Sequence, residues 1–261
     1  MGSNARYAVK STRPLPEHAV IVFCLPGDGY IGKFCGEALI ATVNAELIQL
    51  FHPFCLPARA SVEGGRLILQ PFEIYAGQSP NEDLVIVTTE LKVIEAEVAL
   101  NACVLVAEYL QQANPREVLI FDGFTPAGDF EGNEICQMLV DEPPAEFWDS
   151  APLQPFYRPI DKDRYFLFLA AALKMVGLPA RAIICETSGA DVDPEGAKLL
   201  LETVKGHPAI PPDLDLNKID EKADQIHREL EDLMHQEQDR ARAVQEAEQS
   251  KKDQSDLFYI Q

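Results

Sequence analysis

Four acids stand where an α/β sheet does its chemistry. Asp28, Glu90, Asp122 and Glu186 each lie just past a short apolar run that reads as a strand. Open α/β sheets place ligands at the carboxyl ends of their strands. If the four strands are parallel and adjacent, the four carboxylates converge on one edge. Such a set can hold Mg²⁺ or divide into a general acid and a general base. Acids at strand–helix turns also cap helices without any chemistry, and the residues alone leave both readings open.

A second constellation is the glycine series Gly27-x-Gly29-x-x-Gly32, which matches the dinucleotide-binding fingerprint. That fingerprint works when backbone amides and a helix N-terminus cradle a pyrophosphate and an acid after the next strand holds the ribose. The next strand, Leu47 to Phe51, runs into His52-Pro53 and offers no acid. The glycines are therefore read as serving a tight turn and close helix–sheet packing. No GxSxG, Walker loop or HExxH occurs, and His18, His52, His207, His227 and His235 are scattered. No cofactor and no metal is expected, while a Cys–His pair assembled in space stays open.

These residues need elements to position them. Ala19 to Leu25 is an unbroken apolar run that fits a strand buried on both faces. Pro26-Gly27-Asp28-Gly29 turns the chain, and Ile31, Phe34, Cys35, Ala38 and Leu39 recur at helical spacing. Strand, turn, helix opens an α/β domain. Leu47 to Phe51 is the next strand. Ala58 to Glu63 and Arg66 to Tyr75 flank Gly64-Gly65 as a hairpin. Leu84 to Thr88 is a strand, and Ile94 to Gln112 a helix ended by Asn114-Pro115. Val118 to Phe121 is a strand closed by Asp122-Gly123. Phe124 to Asp163 is irregular, with a strand at Ile135 to Val140. Its Trp148, Phe156 and Tyr157 cover a core edge or face a partner, and the sequence does not choose. Arg164 to Val176 is a helix ended by Gly177, and Ala180 to Cys185 a last strand. Asp193-Pro194-Glu195 starts a helix that stops at Gly206.

Bulk properties narrow the classes. The chain has 261 residues, 47% of them hydrophobic, enough for one large domain with an appendage. Its net charge of -20 repels nucleic acid and anionic membranes and favours basic protein partners. Six cysteines occur without a CxxC, mostly in apolar runs, as in reduced core positions of a cytoplasmic protein. No apolar stretch is clean enough to span a membrane, and the N-terminus lacks the apolar segment of a signal peptide.

Three regions follow: an α/β core over 1–212, a helix over 213–250 and an apolar-ended tail over 251–261. Ile219, Ala223, Ile226, Leu230 and Leu233 step by four and three, a short heptad seam. Beyond Met234 the stretch is polar. At the end stand Leu257, Phe258, Tyr259, Ile260 and Gln261, an apolar hook that either folds back on its own body or enters another protein's pocket.

The stretch Leu25-Pro26-Gly27-Asp28-Gly29-Tyr30-Ile31-Gly32-Lys33 resembles the Leu-Pro-Gly-x-Gly-x-x-Gly opening of the proteasome assembly chaperone two family. Glu186-Thr187-Ser188-Gly189-Ala190-Asp191-Val192-Asp193-Pro194-Glu195-Gly196-Ala197 is similar to that family's Glu-Thr-Pro-Gly-x-x-x-Asp-Pro-x-x-Ala segment, with Ser188 in place of the usual proline. The order of elements between them agrees, so the likeness covers most of Ala19 to Leu233. It implies a three-layer α/β/α body of the phosphorylase/hydrolase group without established catalysis. It also implies archaeal homo-oligomers that bind core-proteasome α subunits. Some members end in a hydrophobic-Tyr-any motif that enters a pocket between α subunits. Phe258-Tyr259-Ile260 fits that motif, but Gln261 follows and moves the carboxylate by about 3.5 Å. Docking by the tail is expected, gate opening by it is not. The alternative is a small-molecule or metal-dependent enzyme of phosphorylase/hydrolase type using Asp28, Glu90, Asp122 and Glu186. Phe124 to Asp163 carries no family motif.

Overall fold

A computed structural model describes residues 6–55, 60–63, 66–69, 71–90, 95–127, 130, 132–140, 148, 153–157, 164–189 and 192–228. The Gly64-Gly65 pair, the Leu230 and Leu233 positions of the heptad seam, the polar stretch His235 to Asp256 and the tail Leu257 to Gln261 lie outside the described residues. The chain divides into two compact units, Met1–Asp220 and Glu221–Gln261.

The first unit is built on a nine-stranded mixed sheet. Its strands are β1 (Tyr7–Ser11), β2 (Val20–Cys24), β3 (Glu46–Pro53), β6 (Phe72–Gln78), β7 (Asp83–Thr89), β8 (Glu117–Phe124), β9 (Ile135–Leu139), β10 (Gln154–Pro155) and β11 (Ala180–Glu186). The spatial order is β1-β3-β6-β7-β2-β8-β11-β9-β10. The four central strands, β7, β2, β8 and β11, are parallel. Their neighbours β6 and β9 run antiparallel to them. A separate hairpin pairs β4 (Ala60–Glu63) with β5 (Arg66–Leu69).

Four helices cover the sheet: α1 (Ile31–Thr42), α2 (Ala96–Gln111), α3 (Tyr165–Met175) and α4 (Pro194–Val204). α1 packs with α4, and α2 with α3. Alternation along the strands sorts the core between them. Ile21, Phe23, Val118, Ile120 and Ala182 join the cluster formed with α2 and α3. On the other face, the Cys35 thiol of α1 lies 3.6 Å from the Ala197 carbonyl of α4. Helices on both faces explain why β2 and β8 are buried along their whole length. The architecture is therefore three-layer α/β/α.

Local chemistry sets several boundaries. Asp193 caps α4 by accepting from the Gly196 N–H at 2.8 Å, with Pro194 at the first helical position. Gly177, at φ +71°, ends α3 while Leu178 N–H donates to the Leu173 carbonyl at 3.0 Å. Asn114 takes a positive φ of 46° just after α2.

Some expectations are corrected. The expected single strand Arg66 to Tyr75 is two, because Pro71, which has no N–H for a ladder, falls between β5 and β6. β8 does not stop at Phe121. Asp122, Gly123 and Phe124 pair in register with Ile184, Cys185 and Glu186 of β11. Strands β1 and β10 were not foreseen. β1 is held by Tyr7, whose ring centroid lies 4.8 Å from that of Phe51 and 5.7 Å from that of Tyr109. A helix covers 217–228 up to the last described residue. Among the described residues no helix is long and apolar enough to cross a membrane.

Gly32 measures how tightly α1 docks. A Cβ there would lie 2.2 Å from the Phe121 carbonyl oxygen and 2.5 Å from that of Leu25, both backbone atoms that cannot step aside. Gly32→Ala is expected to cost about 3 kcal/mol. Gly177→Ala, where a Cβ meets nothing within 4 Å, should cost only the left-handed backbone term, about 1 kcal/mol. Urea denaturation of both variants checks the contrast; equal losses would mean that the close contact contributes nothing.

Candidate functional site

The carboxyl ends of β7, β2, β8 and β11 form one edge, and the chain after β2 crosses it as a turn, Asp28–Tyr30, before α1. Gly29 takes φ +64° and Tyr30 φ +55°, so two consecutive residues are left-handed there. The turn fits only because its neighbours lack side chains. A Cβ on Gly27 would fall 1.7 Å from Asp122 Oδ1, and one on Gly123 2.0 Å from the Asp28 carbonyl oxygen. Pro26 leads the chain from β2 into this contact.

The closing segment after β11 locks onto the same turn. Asp193 N–H donates to the Gly29 carbonyl at 2.9 Å. The Asp193 carboxylate accepts from Thr187 Oγ1 at 2.6 Å, from Asn133 Nδ2 at 2.8 Å and from the Gly196 N–H. The two stretches that carry the sequence resemblance are thus in contact, and Gly29 leaves room for Asp193 and Thr187 where they meet.

The four candidate acids reach different partners. Asp28 Oδ2 accepts from Arg164 Nη1 at 2.5 Å and from the Thr125 N–H at 2.8 Å. The Arg164 guanidinium also lies over the Phe124 ring, 5.2 Å from its centroid. Asp122 is buried, points at Gly27 and accepts from the Gly123 N–H at 2.8 Å. Burial pushes its carboxyl well above the usual range; the Gly123 and Gly27 N–H groups and the Arg164 charge pull it down, and the nearby Asp28 pushes it further up. Glu90 pairs with Lys33 of α1. Glu186, the last residue of β11, is buried beside Glu134 and Cys136. Asp28 and Asp122 are therefore brought together with Arg164, while Glu90 and Glu186 turn elsewhere. Neither Asp122 nor Glu186 follows its strand; both lie within it.

A phosphate has little room at this edge. In the fingerprint's usual setting the second glycine lets the backbone approach the pyrophosphate. Here Asp193 and Thr187 crowd that second glycine, Gly29, and Asp122 and Asp28 set two more acids beside the turn. The strand after α1, β3, is not next to β2, because β6 and β7 lie between them. For a metal, Glu134, Cys136 and Glu186 put one potential ligand atom each within 4.8 Å of one another, but all three already engage protein groups. The thiols of Cys24 and Cys185 are raised, chiefly by burial, Cys185 to about 12, and neither is poised as a nucleophile.

Sequence reasoning missed Arg164, Asn133 and Thr187 as members of this site. Arg164 stands 136 residues from Asp28 in sequence, so no local pattern links them. Asp193 was legible, but only as a helix cap.

The raised pKa of Asp122 has a testable sign. Its folded form prefers the proton, so its contribution is full below the usual carboxyl range and is lost as pH rises toward the folded value. Asp122→Asn removes that loss. In calorimetric scans the Tm of the variant minus that of the native chain should grow from about pH 4 to about pH 8. A flat difference across that range would contradict a proton-holding Asp122.

The fold and its turns have relatives. The chain superimposes on the Pyrococcus furiosus protein PbaB, described as an archaeal proteasome activator, with a TM-score of 0.70, 19% identity, and coverage of 87% of this chain and 98% of that one. It superimposes on Pyrococcus furiosus PbaA, an archaeal homolog of proteasome-assembly chaperone, with a TM-score of 0.66 and 18% identity over 92% of this chain and 97% of that one. A Mycobacterium tuberculosis proteasome-assembly chaperone homologue gives a TM-score of 0.57 and 15% identity over 82% and 94% of the two chains. Comparison with curated protein sequences gives no match. The PAC2 family matches residues 24–234, a span that contains both interlocked turns and the parallel strands β7, β8 and β11, and the chain belongs to that family.

Proposed function

We propose that this chain is a proteasome assembly chaperone: a non-catalytic homo-oligomer that binds core-proteasome α subunits and uses Leu257, Phe258, Tyr259, Ile260 and Gln261 as a docking element. The family match over 24–234 carries this reading. The likeness to structures described as a proteasome activator and as homologues of proteasome-assembly chaperones supports it.

The site chemistry leans the same way. Asp122 meets Gly27, Asp28 meets Arg164 and Glu90 meets Lys33, so three strand-end acids are engaged in holding the fold together. Such a body recognises partners by its outer surface. Its charge of -20 steers it toward basic patches and raises the rate of encounter more than the final affinity. A single five-residue tail binds weakly, and several tails on one oligomer gain through effective concentration. An assembly factor must hold subunits and then release them, which many weak contacts permit.

The experiment is capture of purified proteasome α subunits by the full chain, read by native mass spectrometry. The full chain should retain α subunits, and deletion of residues 257–261 should weaken retention about tenfold or more. Retention unchanged by the deletion would remove the tail from the mechanism, and no capture by the full chain would overturn the assembly role itself.

A further inference from the structure

At the opposite edge of the parallel strands lies a polar cluster that the strand-end site does not use. Glu117, the first residue of β8, is 4% exposed; Trp148 and His207 are 5% and Arg181 is 6% exposed. Glu117 spreads its two oxygens over two donors. Trp148 Nε1–H donates to Oε1 at 2.8 Å, and His207 Nε2 lies 3.0 Å from Oε2. The roles of the imidazole follow from its other side. Ala209 N–H donates to His207 Nδ1 at 3.2 Å, so Nδ1 carries no proton and Nε2–H is the donor to Glu117. The indole and imidazole rings pack with centroids 5.1 Å apart. The Arg181 guanidinium lies over the indole, 4.5 Å from its centroid, and is hydrogen-bonded to Gln137.

The same cluster pins the chain that leaves α4. Ile210 N–H donates to the His207 carbonyl at 2.9 Å, and Ser79 Oγ donates to the Pro208 carbonyl at 3.0 Å. Residues 207–210 are the path by which the chain passes from α4 toward the helix at 217–228.

We propose that Glu117 is a shared clasp that couples the seating of Trp148 to the seating of 207–210. The physical reason is the cost of a half-satisfied buried carboxylate. With both donors in place, Glu117 is held without water. Withdrawal of the indole leaves one oxygen unmatched and opens the space beside the imidazole, so water enters and the His207 bond weakens. Withdrawal of His207 does the same to Trp148. Linkage makes the coupling equal in both directions. Any contact that draws Trp148 from its seat therefore loosens the path to the C-terminal unit. This inference does not rest on the proposed function.

Trp148 is the chain's single tryptophan, so it reports on its own seat. Trp148→Phe keeps an aromatic ring and deletes the donor with part of the ring volume, and His207→Phe deletes the Nε2–H donor together with the Nδ1 acceptor of the Ala209 N–H. In Trp148→Phe, amide hydrogen exchange at His207, Ala209 and Ile210 should rise about tenfold, with α1 unchanged. In His207→Phe, Trp148 emission should shift to the red and acrylamide quenching should increase. His207→Gln, whose amide can donate to Glu117, should restore most of the native emission. A uniform rise in exchange across the whole chain would mean general destabilisation and would overturn the coupling. So would unchanged exchange at His207, Ala209 and Ile210, unchanged emission in His207→Phe, or strictly additive stability losses in the double variant.

Discussion

One close approach organises this protein: the Pro26–Gly32 turn rests against β8, backbone on backbone at Gly32 and Gly123 and under the Asp122 carboxyl at Gly27. Gly27 and Gly32 supply the space on one side and Gly123 on the other. Three missing Cβ atoms let a left-handed turn, a strand and the start of a helix share a volume that ordinary residues would overfill. Asp193 then bonds the Gly29 carbonyl and caps α4, so the second helix of that layer is placed by the first. The two sequence stretches that look like a ligand-binding signature and a helix start are the two halves of one joint.

The joint carries an electrostatic cost. Asp122 is a buried carboxyl next to a second acid, and burial disfavours its charge. Two backbone N–H groups and the Arg164 guanidinium offset part of that penalty. Arg164 reaches across from the start of α3, so an ion pair ties a helix on one face of the sheet to a turn that leads into a helix on the other. Removing one member of such a set leaves an uncompensated buried group, which makes the set a strong constraint on structure even where it adds little net stability.

The two ends of the parallel strands use polar groups in the same manner. At the carboxyl end, acids close over glycines. At the amino end, Glu117 gathers Trp148 and His207. In both places a buried carboxylate joins segments far apart in sequence. Among the described residues of 124–163, β9 and β10 extend the sheet, Trp148 is buried against Glu117, and Phe156 packs 5.2 Å from Phe124.

Much of this was legible in the residues. The apolar run Ala19–Leu25, the Asp193-Pro194 start and the Gly177 stop each act within a few neighbours, so their outcome is local and the pattern suffices. The glycine series was likewise readable as a packing device, because its ribose-binding acid was missing. Other features depend on distant partners. Asp122-Gly123 has the composition of a turn, yet pairing with β11 and the fit of Asp122 over Gly27 keep it in β8. The edge strand β1 forms because Tyr7 finds Phe51 and Tyr109, more than forty residues away. Of four acids with the same local signature, the tertiary structure paired two with basic side chains, buried two, and drew only Asp28 and Asp122 together. The sequence by itself determined the four helices, the central apolar strands and the tight turns after β2 and α3, since those follow from short-range sterics and periodicity. Strand order, and with it the neighbours each carboxylate meets, was decided only by the packed fold, because those contacts exist only once remote segments share a volume.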